Sequence, residues 1–194
     1  MAHCRGNFQL VVRICARGRI TCDSAARVVR RIFHGTGQHR RSTQGAGYRG
    51  RVAGHLYWST ALAEILRERS AGQTRLLVLV GHSQGANNVI NIARALESHG
   101  VTVDLLVTIS PFLQNPIPAN VVKAINYYQA PGWGQPVAGD RGFHGKIMNV
   151  DLAGDLTVTH ITIDKNPKIQ ADILHEIAAL AQQAGDQKPT AVPR

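Results

Sequence analysis

Cysteine is scarce and badly placed for a disulfide framework. The three residues, Cys4, Cys15 and Cys22, all fall near the start of a 194-residue chain, so a bridge would staple only that segment and leave one thiol over. Long apolar runs are missing too: Leu10-Val11-Val12 is cut by Arg13, short of a signal-peptide core. No stretch approaches the roughly 20 apolar residues of a membrane-spanning helix. These absences predict a soluble protein, cytoplasmic by default. Aromatic residues make up 5%, few platforms on which to stack single-stranded nucleic acid. Histidines and carboxylates lack the spacing of a metal cluster, and no HExxH occurs, so no metal site is expected. The loop His34-Gly35-Thr36-Gly37 is not followed by Gly-Lys-Ser/Thr and does not go on to complete a GxGxxG, which argues against a phosphate loop there.

Acidic charge is the last shortage, and it is local. Residues 1–75 hold 14 basic side chains against 3 acidic ones, whereas residues 76–194 are nearly balanced at 8 and 9. The arginine-rich start therefore suits an anionic membrane surface, nucleic acid or an acidic partner, and equally a solvated leader with no specific ligand. No specific nucleic-acid motif accompanies it.

What the chain does have is a core. At 44% hydrophobic residues, 18% charged, 19 glycines and 8 prolines, it is long enough for one packed domain and too short for two ordinary ones. Residues 1–26 show no sustained period and read as a basic, poorly ordered arm. The domain is placed at 27–185 and a polar tail at 186–194.

Within the domain, Val28 to Phe33 reads as a strand running into His34-Gly35-Thr36-Gly37, and Gln38 to Gly54 as a long loop. Leu56 to Arg69 carries Trp58, Leu62, Ile65 and Leu66 on one helical face. Arg75 to Val80 is a continuous apolar run, the pattern of a parallel strand covered on both faces. A helix with Ala86, Val89, Ile90, Ala93 and Leu96 follows and stops at Gly100. Further strands are expected over Val101 to Ile109, Val121 to Tyr128 and Leu156 to Thr159, with residues 130–155 as a second loop. Asn166-Pro167 opens a last helix with Ile169, Ile173, Ile177 and Leu180 on one side. Alternating strands and helices predict an α/β fold, a mainly parallel sheet with helices on both faces.

The chemistry concentrates in Gly81-His82-Ser83-Gln84-Gly85, between an apolar strand and an amphipathic helix. A serine on so tight a turn is lifted above the sheet edge, and glycines two before and two after it let strand and helix approach. The Gln84 N–H then lies at a helix N-terminus, suited to an oxyanion. A hydroxyl needs a base to take its proton. Of nine histidines, His82 would point away from the turn, His144 lies in the glycine-rich loop and His175 on the solvent side of the last helix. His160 stands where a doubly wound hydrolase brings its base back to the top of the sheet. Gly35 and Thr36, in the loop after the first domain strand, have the form of a second oxyanion donor.

With His34-Gly35 after a strand, the Gly81–Gly85 turn and His160 before the final helix, residues 28–184 resemble the α/β-hydrolase superfamily in its lipase and esterase branch. The resemblance implies no cofactor and hydrolysis of a small-molecule or lipid ester, or a thioester, through an acyl-enzyme. It also exposes a departure. Lipase-like sequences often read Thr-Ile-Asp-Pro where this chain has Thr108-Ile109-Ser110-Pro111, so Ser110 marks a vacated acid position. Other members take the acid from the loop after the next strand, which points to Asp140, then to Asp151 and Asp155. A Ser-His dyad and an inactive descendant stay open beside these, as does a non-catalytic hydrolase-fold binding protein with a basic interaction arm.

Overall fold

The structure, a computed structural model, describes residues 8–15, 41–45, 48–54, 58–72 and 74–186. Its frame is one seven-stranded sheet. In chain order the strands are β1 (Phe8–Cys15), β2 (Arg41–Gly45), β3 (Tyr48–Gly54), β4 (Thr74–His82), β5 (Leu105–Ile109), β6 (Lys123–Tyr128) and β7 (Lys146–Asp151). Helix α1 (Trp58–Ser70) precedes β4, α2 (Gln84–Glu97) follows it, and α3 (Pro167–Asp186) closes the fold behind a short 3-10 turn (Ile163–Lys165). The spatial order is β2-β3-β1-β4-β5-β6-β7, with β4 to β7 all parallel.

Side-chain alternation along the central strands sorts the core into two layers. Leu77, Leu79 and Leu106 face α1 and α2, meeting Ala61, Ile65, Val89, Ile92, Ala93 and Leu96. Leu76, Val78, Val80, Leu105, Val107 and Ile109 face α3, meeting Ile169, Ile173 and Ile177. The fold is therefore α/β with helices on both faces of its parallel half. The apolar run of β4 has no polar alternation because both its faces are covered.

Four expectations need correction. Phe8–Cys15 belongs not to an irregular arm but to a strand inserted between β3 and β4, antiparallel to each, with Leu10 opposite Val52 on one side and Val80 on the other. Residues 41–54 are not a long loop but an antiparallel pair, β2 with β3, with Gly45 opposite Tyr48. Within the second expected loop, Lys146–Asp151 adds the parallel edge strand β7. Residues 156–159 form turns instead of a strand. The expected strand at Val28 to Phe33 lies outside the described residues. Asn166 caps α3 as expected, its Oδ1 accepting from Lys168 N–H at 2.9 Å and Ile169 N–H at 3.3 Å.

Candidate active site

The turn after β4 has the predicted strain. Ser83 sits at φ +56° and ψ −122° as the N-cap of α2, a conformation that L-residues adopt at a cost. A Cβ on Gly81 would run into the Gly85 carbonyl, so glycine two residues before the serine is a steric requirement. The Ser83 N–H donates to Ile109 O at 2.9 Å, tying the turn to the end of β5. Gln84 opens α2, whose first backbone N–H groups have no acceptor within the helix.

His160 arrives from the other side of the sequence and meets this serine. Its Nε2 lies 2.9 Å from Ser83 Oγ. The loop carrying it is fastened locally: Thr159 N–H donates to Thr162 Oγ1 at 2.9 Å, and Thr162 N–H and Ile163 N–H both donate to Thr159 O. His82, buried beneath, donates its Nε2–H to the His160 carbonyl at 2.9 Å, with the two rings 5.0 Å apart. Burial and repulsion from His82 hold the His160 imidazole below the ordinary histidine pKa. It is therefore neutral at pH 7. In the tautomer that accepts the Ser83 hydroxyl at Nε2, its one proton sits on Nδ1.

That Nδ1 is buried and has no hydrogen-bond partner among the described residues. The structure does not bring Asp140 to it. Asp140 Oδ2 takes Arg94 Nη1 at 3.1 Å and its N–H bonds Ile117 O, and Ile117 packs in the α1/α2 layer. His160 instead follows Val158 of the α3 layer. Asp151 Oδ1 accepts from Ala130 and Ala153 N–H groups. Asp155 caps Thr157, whose hydroxyl and N–H hold its carboxyl below the usual range. No carboxylate among the described residues hydrogen-bonds His160.

Ser110 ends β5 at φ +46°, buried, its N–H on Tyr127 O at 2.8 Å and its Oγ without a partner. A neighbouring strand end thus holds a second orphaned polar atom. The loop beyond is clamped by Asn87 of α2, whose Oδ1 accepts from Phe112 and Leu113 N–H groups and whose Nδ2 donates to Leu113 O at 2.7 Å.

Two residues at the site were not singled out from sequence. Asp164, four residues past His160, is buried with one carboxylate oxygen unpartnered; desolvation raises its pKa, against attraction to His82 and Lys165. Trp133 lays its ring 4.5 Å from that of His160 at an interplanar angle of 30°. Asp164 was findable as a carboxyl one helical turn from the candidate base. Trp133, in a loop without periodicity, carried no signal beyond the rarity of tryptophan. Gly35 and Thr36 lie outside the described residues. Among the described residues no cluster of His, Cys, Asp and Glu is placed to hold a metal ion, and no helix is long and apolar enough to cross a membrane. Comparison with protein-family models, curated proteins and solved structures found no match in any of the three.

Proposed function

We propose that this chain is a serine hydrolase of α/β-hydrolase type, lipase- or esterase-like, that cleaves a carboxylic ester or thioester without a cofactor. The observation that carries the reading is the 2.9 Å contact between His160 Nε2 and Ser83 Oγ, made across 77 residues of chain at a strained serine. Ser83 Oγ attacks the carbonyl carbon while His160 Nε2 takes its proton; the leaving group then receives that proton and an acyl-Ser83 ester remains. Water, deprotonated by His160, hydrolyses the ester. The Gln84 N–H faces the developing oxyanion, with Gly35 and Thr36 as the proposed second donor. The working pair in this reading is a dyad, since no carboxylate among the described residues hydrogen-bonds His160 Nδ1.

The same orphaned Nδ1 favours one alternative, a non-catalytic binding protein with a degraded triad. A fluorophosphonate probe decides between them. Covalent labelling lost in Ser83→Ala, together with hydrolysis of short p-nitrophenyl esters, is expected of the hydrolase. Folded protein that is neither labelled nor active would establish the binding reading.

A further inference from the structure

An acyl transfer through His160 creates an imidazolium in a half-buried site, and in triad enzymes a carboxylate on the far ring nitrogen stabilises it. Here that nitrogen has no hydrogen-bond partner among the described residues, and Ser110 stands at the end of β5. Among the described residues the rings beside His160 are His82, at 5.0 Å and repulsive once charged, and Trp133.

Building on the Ser83–His160 dyad, we propose that Trp133 is a positioning residue whose indole face stabilises the His160 imidazolium by cation–π attraction, a role that no carboxylate among the described residues fills. The rings are 4.5 Å apart and tilted by 30°, inside the roughly 6 Å over which an aromatic face attracts a cation. The attraction to the neutral imidazole is weaker. The interaction therefore grows as the proton moves from Ser83 Oγ to Nε2, which is the condition for lowering a barrier.

The surroundings fix this ring in place. Gln129 and Trp133 exchange two backbone hydrogen bonds, at 2.9 and 2.8 Å. Gln129 Nε2 donates to Val158 O, two residues before His160, and Asp151 Oδ1 accepts from the Ala130 N–H. Gly134, at φ +79°, packs so closely that a Cβ there would stand 3.4 Å from Ser110 Cα and 3.2 Å from Tyr128 Cβ. The turn is thus tied to the ends of β5, β6 and β7 and to the His160 loop. Trp133 is nevertheless 48% exposed, more than a ring placed only to fill a core would be.

The test is the pKa of His160, read from its ring resonances by NMR, beside steady-state kinetics. Trp133→Leu should lower that pKa by about half a pH unit and Trp133→Phe by less. Turnover should drop about threefold to tenfold in Trp133→Leu, with KM within about twofold. If the indole only shielded His160 from water, its removal would hydrate the ring and raise the pKa; a rise or no change overturns the proposal. Should Trp133→Leu not fold, a Trp58→Phe protein carrying singly and multiply fluorinated tryptophan keeps the shape and weakens the ring's quadrupole. The pKa should then fall stepwise with fluorine number, and a flat series overturns the proposal. Labelled Ser83 with an unmoved pKa would defeat the cation–π role alone. A falling pKa with Ser83 unlabelled would defeat the dyad, and the positioning role with it.

Discussion

Two serines end neighbouring parallel strands in this molecule, and their turns are built alike. Ser83 after β4 and Ser110 after β5 both have positive φ, +56° and +46°, and both are buried. Each hands its N–H to the last stretch of the next strand, Ser83 to Ile109 and Ser110 to Tyr127. They differ in what the hydroxyl meets: Ser83 Oγ meets His160, whereas Ser110 Oγ has no hydrogen-bond partner among the described residues. Backbone strain of this kind costs on the order of 1–3 kcal/mol and persists where the surroundings impose it. At Ser83 the strain presents a hydroxyl to an imidazole nitrogen. At Ser110 it falls on a turn whose positive φ suits aspartate better than most residues. In the proposed reading the first turn carries the nucleophile, and the second stands where lipase-like sequences carry an acid.

The largest effects should come from the turn that is intact. Ser83→Ala should lower ester turnover by about 10⁴-fold or more and abolish fluorophosphonate labelling, and His160→Ala should match it, since an unactivated serine is nearly inert. Both proteins should keep the wild-type circular dichroism spectrum. Activity surviving either change would separate the nucleophile or the base from the reaction.

The second turn can be broken in the opposite direction. Ser110→Asp puts a carboxylate at the end of β5, beside the Ser83 turn; if it reaches His160, turnover should rise by about tenfold or more, a fraction of the roughly 10⁴ that losing an acid costs a triad enzyme. Unchanged or lower turnover in a folded Ser110→Asp protein would show that the two turns are alike in backbone only.

How far these turns could be read from the sequence follows from where the signal lies. The apolar run of β4, the glycine pair around Ser83 and the face of α2 are local patterns, and the structure has them where they were expected. Asn166-Pro167 predicted the start of α3 for the same reason. What the sequence did not show is of two kinds. Phe8, Leu10, Val12 and Ile14 alternate with Gln9, Val11 and Arg13, a two-residue period that the arginine content of the leader concealed. Asp140 differs in kind: turn aspartates look alike in sequence, and in the structure this one pairs with Arg94 and not with His160. The stacking of Trp133 on His160 joins two loops without period, and nothing local encodes it.

A smaller effect tests the neutral state of the base. Burial and the neighbouring His82 lower the His160 pKa, so the base form persists to lower pH than in free histidine. The rising limb of the pH profile for kcat/KM should therefore fall below the ordinary value near 6.5. Ser110→Asp, if its carboxylate reaches His160, should move that limb upward, because a carboxylate beside the ring favours the imidazolium. A limb above 6.5 in the wild-type protein would mean that a carboxylate already reaches His160.

The smallest expected effect is at Asp140, and it sharpens the comparison by what should not happen. Its carboxylate binds Arg94 at 3.1 Å and the Gly142 N–H at 3.3 Å, on the face of the sheet that carries α1 and α2. Arg94 is 44% exposed and also donates to Pro116 O, so the pair lies in a solvent-screened position where an ion pair contributes about 0–1 kcal/mol. Asp140→Asn keeps the side chain's size and one acceptor oxygen. It should change turnover by less than about twofold, and shift the thermal midpoint by no more than a few degrees. The pH profile should stay where it is, since no charge near His160 is altered. A drop approaching that of His160→Ala, with the rising limb displaced, would place Asp140 behind the base after all. Ser110 would then be an ordinary strand-end serine, and the likeness of the two turns a consequence of strand packing alone.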